Sequence, residues 1–71
     1  MSVEILAPMP GKIVDVLVNV GEQVSEDDEL LILEAMKMEN PIYATADGVV
    51  KEIKVKKNDT VAADQLLLIL G

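Results

Sequence analysis

The sequence predicts a single all-β domain of about eight short strands in two related halves, either sandwiched or closed as a flattened barrel. Its apolar residues are mainly Val, Ile and Leu, with no Phe or Trp and one Tyr, and branched aliphatic side chains favour strands. Their spacing nowhere keeps the 3.6-residue period of an amphipathic helix. With 71 residues and no visible linker, the chain is expected to form one domain over residues 1–71.

An internal repeat defines the two halves. A shift of 37 positions, from Gly11 to Gly48, aligns residues 11–34 with residues 48–71 without a gap. Two copies are too few for a solenoid, so the repeat predicts a compact domain with internal pseudo-two-fold symmetry. Eight aligned pairs are identical, namely Gly11/Gly48, Val18/Val55, Val24/Val61, Asp27/Asp64, Leu30/Leu67, Leu31/Leu68, Ile32/Ile69 and Leu33/Leu70.

The first strand is predicted at residues 2–7, and the prolines and glycine of residues 8–11 end it. The later elements are expected to occur once in each half. They comprise turns at 20–22 and 57–59, short strands at 23–24 and 60–61, and central strands at 30–33 and 67–70. Gly21 and Asn58 occupy equivalent turn positions, and both residue types readily adopt a positive φ.

Three pairs of equivalent apolar residues are predicted to face the core: Ile13/Val50, Val16/Ile53 and Val18/Val55. The step from Ile13 to Val16 spans three residues, whereas strict alternation in a strand allows two. This spacing predicts a β-bulge near residues 14–15 and an equivalent one near residues 51–52.

The connection between the repeats, residues 35–47, is predicted to be a hairpin with Met36 and Lys37 at its tip and residues 39–44 as the returning strand. Lys37 has no counterpart in the repeat. Short hairpin connections favour Asn-Gly or similar pairs, and this one contains neither. The tip sequence therefore indicates a role other than turn geometry, with the amine of Lys37 as a chemical handle.

The charge and the missing residue types exclude several functions. The net charge is −7, all of it in residues 1–35, and the chain has one aromatic residue, so nucleic-acid binding is not expected. The acidic block at residues 26–29 serves either solubility or docking. Without His or Cys, the usual general base and thiol nucleophile are absent, so the chain is not expected to be a catalyst.

The chain contains no cysteine, so it needs no oxidising compartment. The longest apolar run, residues 66–70, is too short to span a bilayer, and the N-terminus does not resemble a signal peptide. These features predict a soluble cytoplasmic protein without direct membrane insertion.

The segment Glu34-Ala35-Met36-Lys37-Met38-Glu39, with residues 7–11 and 44–48 around it, resembles the biotinyl carrier domains of biotin-dependent carboxylases, decarboxylases and transcarboxylases. The resemblance covers essentially the whole chain. It implies a barrel-sandwich hybrid, a flattened barrel of two four-stranded antiparallel sheets related by a pseudo-two-fold axis. It also implies that a biotin protein ligase joins biotin to the ε-amine of Lys37.

The resemblance further implies a carrier that shuttles a carboxyl group between biotin carboxylase and carboxyltransferase or decarboxylase subunits. It implies no catalytic or metal-binding residues in the carrier itself. Met36 and Met38 are expected either to be recognised by these partners or to pack the hairpin onto the barrel. The residues expected to be recognised are Glu34, Ala35, Met36, Met38 and Glu39.

Two other functions remain open. A lipoyl carrier has the same fold, but its lysine is typically flanked by Asp and Ala, where this chain has Met36 and Met38. An unmodified β-barrel interaction domain would use the acidic half of the chain for docking. The gapless repeat disfavours the acetyl-CoA carboxylase carriers that have an inserted segment in the first repeat.

Overall fold

The computed structural model describes residues 2–71, so Met1 of the predicted domain lies outside the described residues. No helix occurs in this range, and hence none that could cross a membrane. The eight strands are β1 (Val3–Leu6), β2 (Gly11–Val16), β3 (Gln23–Val24), β4 (Glu29–Ala35), β5 (Met38–Tyr43), β6 (Gly48–Ile53), β7 (Thr60–Val61) and β8 (Leu66–Leu70). The all-β prediction is confirmed.

The strands form two four-stranded antiparallel sheets, with the orders β1-β8-β6-β3 and β5-β4-β2-β7. The predicted central strands, β4 and β8, both lie inside their sheets. Each sheet combines strands from both halves of the sequence, as the pseudo-two-fold arrangement requires. The molecule measures 32 × 17 × 17 Å along its principal axes.

The strand register reproduces the repeat pair by pair. Ile13 lies opposite Leu33 between β2 and β4, and Val50 lies opposite Leu70 between β6 and β8. The register shifts between Ile13 and Asp15, and again at the equivalent place between Val50 and Glu52. Both predicted β-bulges are therefore present, and each adds one unpaired residue to its strand.

The symmetry extends further along the chain than the sequence alignment indicated. Val3 lies opposite Leu70, just as Asn40 lies opposite Leu33, so β1 and β5 are equivalent at the same 37-residue offset. Residues 40–43, which the sequence analysis assigned to the connection, therefore form the second copy of β1. Glu39 corresponds to Ser2 at the same offset, and residues 35–38 are left without a counterpart among residues 2–71.

The turns of the two halves also match. Gly21 has a φ of 93° and Asn58 a φ of 78°, which confirms the positive φ predicted for both positions. The amide of Gly21 donates to the carbonyl of Val50 at 2.8 Å, and the amide of Asn58 donates to the carbonyl of Ile13 at 2.7 Å. These reciprocal bonds tie each turn to the strand of the opposite half.

The core consists of aliphatic side chains from both sheets. Of the predicted core pairs, Ile13/Val50 and Val18/Val55 are buried, and Val16/Ile53 are partly buried and pack against the core. The largest fully buried side chains are Ile13, Leu30, Leu31, Leu33, Val50, Leu67, Leu68 and Leu70. Two layers packed in this way hold the β4–β5 hairpin on a rigid support.

Candidate functional site

The β4–β5 hairpin ends in a two-residue connection. Ala35 lies opposite Met38 as the last strand pair, and Met36 and Lys37 form the turn between them. Met36 has a φ of 54° and Lys37 a φ of 65°. Positive φ at both central positions is characteristic of a type I′ turn, whose twist matches that of the flanking strands. Lys37 therefore lies at the tip of the hairpin, as predicted.

Neither residue of this turn suits its backbone conformation. The left-handed region costs a residue with a Cβ atom about 1–2 kcal/mol, and glycine or asparagine usually occupies it. The pairing of β4 with β5, which continues from Ala35 back to Glu29, holds the turn in place. The strand pairing thus supports a strained tip that presents two long side chains.

Met36 and Met38 extend into solvent. The side chain of Met36 is 93% exposed and that of Met38 is 66% exposed, and neither belongs to the buried core. Of the two roles considered for these residues, packing the hairpin onto the barrel does not agree with this exposure. The two residues instead present exposed thioethers directly before and after Lys37 in the sequence.

The side chain of Lys37 is exposed and makes no hydrogen bond or ion pair with any residue from 2 to 71. A primary amine that is unpaired and held away from the barrel meets the requirement for attachment of an acyl group through an amide bond. The other lysines are also exposed, on strands or turns of the repeats, so exposure alone does not distinguish Lys37. Its position at the tip of the hairpin distinguishes Lys37 from the other lysines.

The remaining predicted site residues lie directly behind the tip. Glu34 lies opposite Glu39, and Lys12 of β2 lies opposite Glu34 on its other side. All three side chains are exposed on one face of the sheet. Ala35 is only 8% exposed, so its methyl group is not available to a partner in solution. The structure therefore brings all six predicted residues into one hairpin but presents only five of them.

The repeat marks Gly11 as the first residue of a copy, but nothing in the sequence places it at this site. A Cβ atom on Gly11 would collide with the carbonyl oxygen of Glu34 and lie 3.0 Å from Cδ1 of Leu33. β2 therefore approaches the base of the hairpin too closely for any side chain at this position. The repeat alignment pointed to Gly11 and Gly48 equally and gave no signal of which is packed more tightly.

A family model described as "Biotin-requiring enzyme" matches residues 3–70. The biotin carboxyl carrier protein of Streptococcus mutans is 58% identical over 64 residues, which make up 89% of this chain and 49% of that protein. The chain thus spans about half the length of this relative. The similarity includes the whole hairpin, because the family match runs from β1 to β8.

Two solved structures share the fold. The urea carboxylase of Kluyveromyces lactis superposes with a TM-score of 0.94 at 30% identity, covering 100% of this chain and 6% of that one. The lipoyl domain of the 2-oxoglutarate dehydrogenase complex from Azotobacter vinelandii superposes with a TM-score of 0.83 at 31% identity, covering 97% and 95%. A carboxylase and a lipoyl domain thus share this architecture, and the residues of the tip must distinguish them.

Proposed function

The chain belongs to the biotin-requiring enzyme family, and we propose that it is a biotin carboxyl carrier domain with Lys37 as its attachment site. The observation that carries the proposal is the hairpin tip itself. A strained two-residue turn presents an unpaired lysine between two solvent-exposed methionines. The 58% identity to a biotin carboxyl carrier protein supports biotin as the attached group.

The chain's own part in the modification is to supply the amine. A biotin protein ligase would join the carboxyl group of biotin to a leaving group and remove a proton from the amine of Lys37. The nitrogen of Lys37 would then attack the carboxyl carbon, and the amide bond would form as the bond to the leaving group breaks. Met36, Met38, Glu34 and Glu39 are exposed on the same hairpin and are available for contact with the ligase. Ala35 is buried and pairs with Met38 at the base of the turn.

Once attached, biotin accepts and releases a carboxyl group, and the carrier positions it. The flexible four-carbon side chain of Lys37 allows the attached group to move, while the barrel and the hairpin hold the backbone of Lys37 in a fixed position. Tethering in this way raises the effective concentration of the group at each partner site. We propose biotin carboxylase and carboxyltransferase or decarboxylase subunits as these partners, and the cytoplasm as the location, because the cysteine-free chain needs no oxidising compartment.

Lipoyl attachment is the second candidate, because the lipoyl domain of Azotobacter vinelandii shares the fold over 97% of the chain. The residues flanking the lysine favour biotin, since Met36 and Met38 replace the Asp and Ala typical of lipoyl carriers. An unmodified interaction domain would have no reason to keep a strained lysine tip. The attached group decides between these functions.

The test is to produce the chain together with an active biotin protein ligase and to measure its intact mass. We expect one biotinyl group per chain, located on Lys37 by tandem mass spectrometry. Lys37→Arg preserves the charge and should abolish the modification. Lys12→Arg, which changes an exposed lysine on β2, should leave it intact. Specific biotin on a repeat lysine, or lipoate on Lys37, would overturn the assignment.

A further inference from the structure

The side chains that peroxides oxidise most readily in this chain are methionines. Peroxides attack the sulfur atoms of cysteine and methionine by two-electron oxidation. The chain has no cysteine and four methionines, of which Met9, Met36 and Met38 lie in the described part of the structure. The chemistry of oxidation is thus confined to a few positions.

Those positions differ strongly in exposure. Met36 is 93% exposed and Met38 is 66% exposed, whereas Met9 is partly buried and packs against the hydrophobic core. A peroxide can therefore reach the sulfur atoms of Met36 and Met38 from solvent, while Met9 is shielded by its neighbours. Among the methionines of residues 2–71, the two with accessible sulfur atoms stand directly before and after Lys37 in the sequence.

We propose that Met36 and Met38 form a peroxide-sensitive site whose oxidation prevents the modification of Lys37. In the reaction, a sulfur lone pair takes one oxygen atom from hydrogen peroxide, the O–O bond breaks, and water leaves. The thioether is oxidised by two electrons to the sulfoxide, and the peroxide is reduced by two. This inference rests on the proposed function, because it requires a ligase that contacts the two methionines.

The effect follows from the polarity of the product. A thioether is apolar and adaptable, whereas a sulfoxide carries a strong hydrogen-bond acceptor. A partner surface that accepts Met36 and Met38 would have to desolvate that oxygen without a donor to satisfy it. The barrel should be unaffected, because neither methionine belongs to its core. Oxidation thus changes recognition of the hairpin without changing the fold.

The first experiment locates the reaction. The unmodified chain is treated with hydrogen peroxide, quenched with catalase, and digested for peptide mapping by mass spectrometry. We expect Met36 and Met38 to gain one oxygen atom each at least about fivefold faster than Met9, in line with their exposure. The thermal unfolding midpoint should stay the same. Equal oxidation of Met9, or loss of the folded state, would overturn the proposal.

The second experiment measures the consequence, as initial rates of biotinylation before and after treatment. We expect kcat/KM to fall at least about tenfold, as loss of one well-satisfied contact commonly produces. Reduction by methionine sulfoxide reductases of both stereospecificities should restore it. The Met36→Leu/Met38→Leu variant retains Met1 and Met9, so its treated-to-untreated ratio should stay near one whatever its own starting rate.

The outcomes separate the two proposals. If the untreated chain accepts no biotin on Lys37, the proposed function fails. If the untreated chain is biotinylated and the oxidised chain is biotinylated at the same rate, the function stands and the peroxide-sensitive site is wrong. A double Leu variant that still loses its rate on treatment would also overturn the proposed site, because the loss would then arise elsewhere.

Discussion

Glu34 and Glu39 lie directly opposite each other on β4 and β5, one strand pair behind the tip that carries Lys37. Like charges at directly opposed positions destabilise a pair of strands. Lys12 offsets this on one side only, because it lies opposite Glu34 on β2. The hairpin therefore keeps an unfavourable pair beside Lys37, the proposed attachment site, which agrees with a role for these carboxylates in recognition by a basic partner surface.

Replacing one member of this pair should separate stability from recognition. Glu39→Gln removes the repulsion and should raise the free energy of unfolding by about 0.3 kcal/mol at low salt. The same change should slow biotinylation several-fold. Glu4→Gln is the control, because Glu4 lies opposite Ile69 in the other sheet, beside the middle of β5 and not at the hairpin tip. Chemical denaturation and initial ligase rates test both effects, and a Glu39→Gln variant that is modified at the normal rate would count against recognition.

The strain of the turn gives a second prediction. Met36→Asn places a residue that tolerates positive φ at a position with a φ of 54°, so the domain should become about 0.5–1 kcal/mol more stable. Biotinylation should become slower, because one exposed thioether is lost. Met38→Asn is the matched control, since Met38 lies in β5 and should gain no stability. Denaturation midpoints that shift equally in both variants would show that turn strain is not the cause.

The two glycines that begin the repeats should differ in their tolerance of a side chain. A methyl group on Gly11 would collide with the backbone carbonyl of Glu34, which cannot turn aside as a side chain can. At Gly48 the nearest atom, the carbonyl oxygen of Gly71, is 3.0 Å away. Gly11→Ala should therefore cost more than Gly48→Ala, by more than about 1 kcal/mol. Equal losses in urea denaturation would contradict the closer approach of β2 to the hairpin base.

The sequence was sufficient to predict the features that depend on local pattern. The bulges at Val14 and Lys51 followed from the spacing of apolar residues, and the turns at Gly21 and Asn58 followed from φ preferences. Equivalence of β1 and β5 was not apparent, because few of their residues match and their relationship lies in the strand register. Register is a property of the folded sheets and not of either segment.

The same distinction applies to the site. The position of Lys37 at a hairpin tip was predictable from its place between the repeats. The burial of Ala35, the pairing of Glu34 with Glu39 and the close approach of Gly11 were not, because each depends on which strand lies beside β4. The absence of an Asn-Gly pair indicated an unusual turn. It did not predict that Met36 and Lys37 would both adopt a positive φ.

The acidic loop at residues 26–29 gives a prediction that depends on distance. Glu29 lies opposite Tyr43, at the end of the hairpin away from Met38 and about 17 Å along the strand. The screening length is about 8 Å at physiological salt and about 30 Å at 0.01 M. Glu26→Lys/Glu29→Lys should therefore slow association with the ligase at low salt and have little effect at physiological salt.

Asp28 is left unchanged in this variant, because its carboxylate accepts a hydrogen bond from the amide of Ser25 at 2.8 Å and holds the loop. Glu34→Lys is the comparison. Because Glu34 lies beside the tip, this substitution should impair modification at both salt concentrations. Stopped-flow association rates at the two concentrations distinguish the variants. Equal slowing by the loop variant at high salt would point to direct contact between this loop and the ligase.

The pairing of Val3 with Leu70 places the first and last strands side by side, so the two ends of the chain lie close together. This pair is equivalent to the pair of Asn40 with Leu33. By the same offset, Ser2 is equivalent to Glu39, and Gly71 is equivalent to Glu34. A four-residue Ala-Met-Lys-Met bridge between Gly71 and Ser2, with Met1 of the sequence as its last residue, would close the chain and create a second copy of the proposed attachment tip. Such a closed chain could be reopened at the turn of Gly21 or of Asn58, giving circular permutants with two proposed attachment lysines on one barrel.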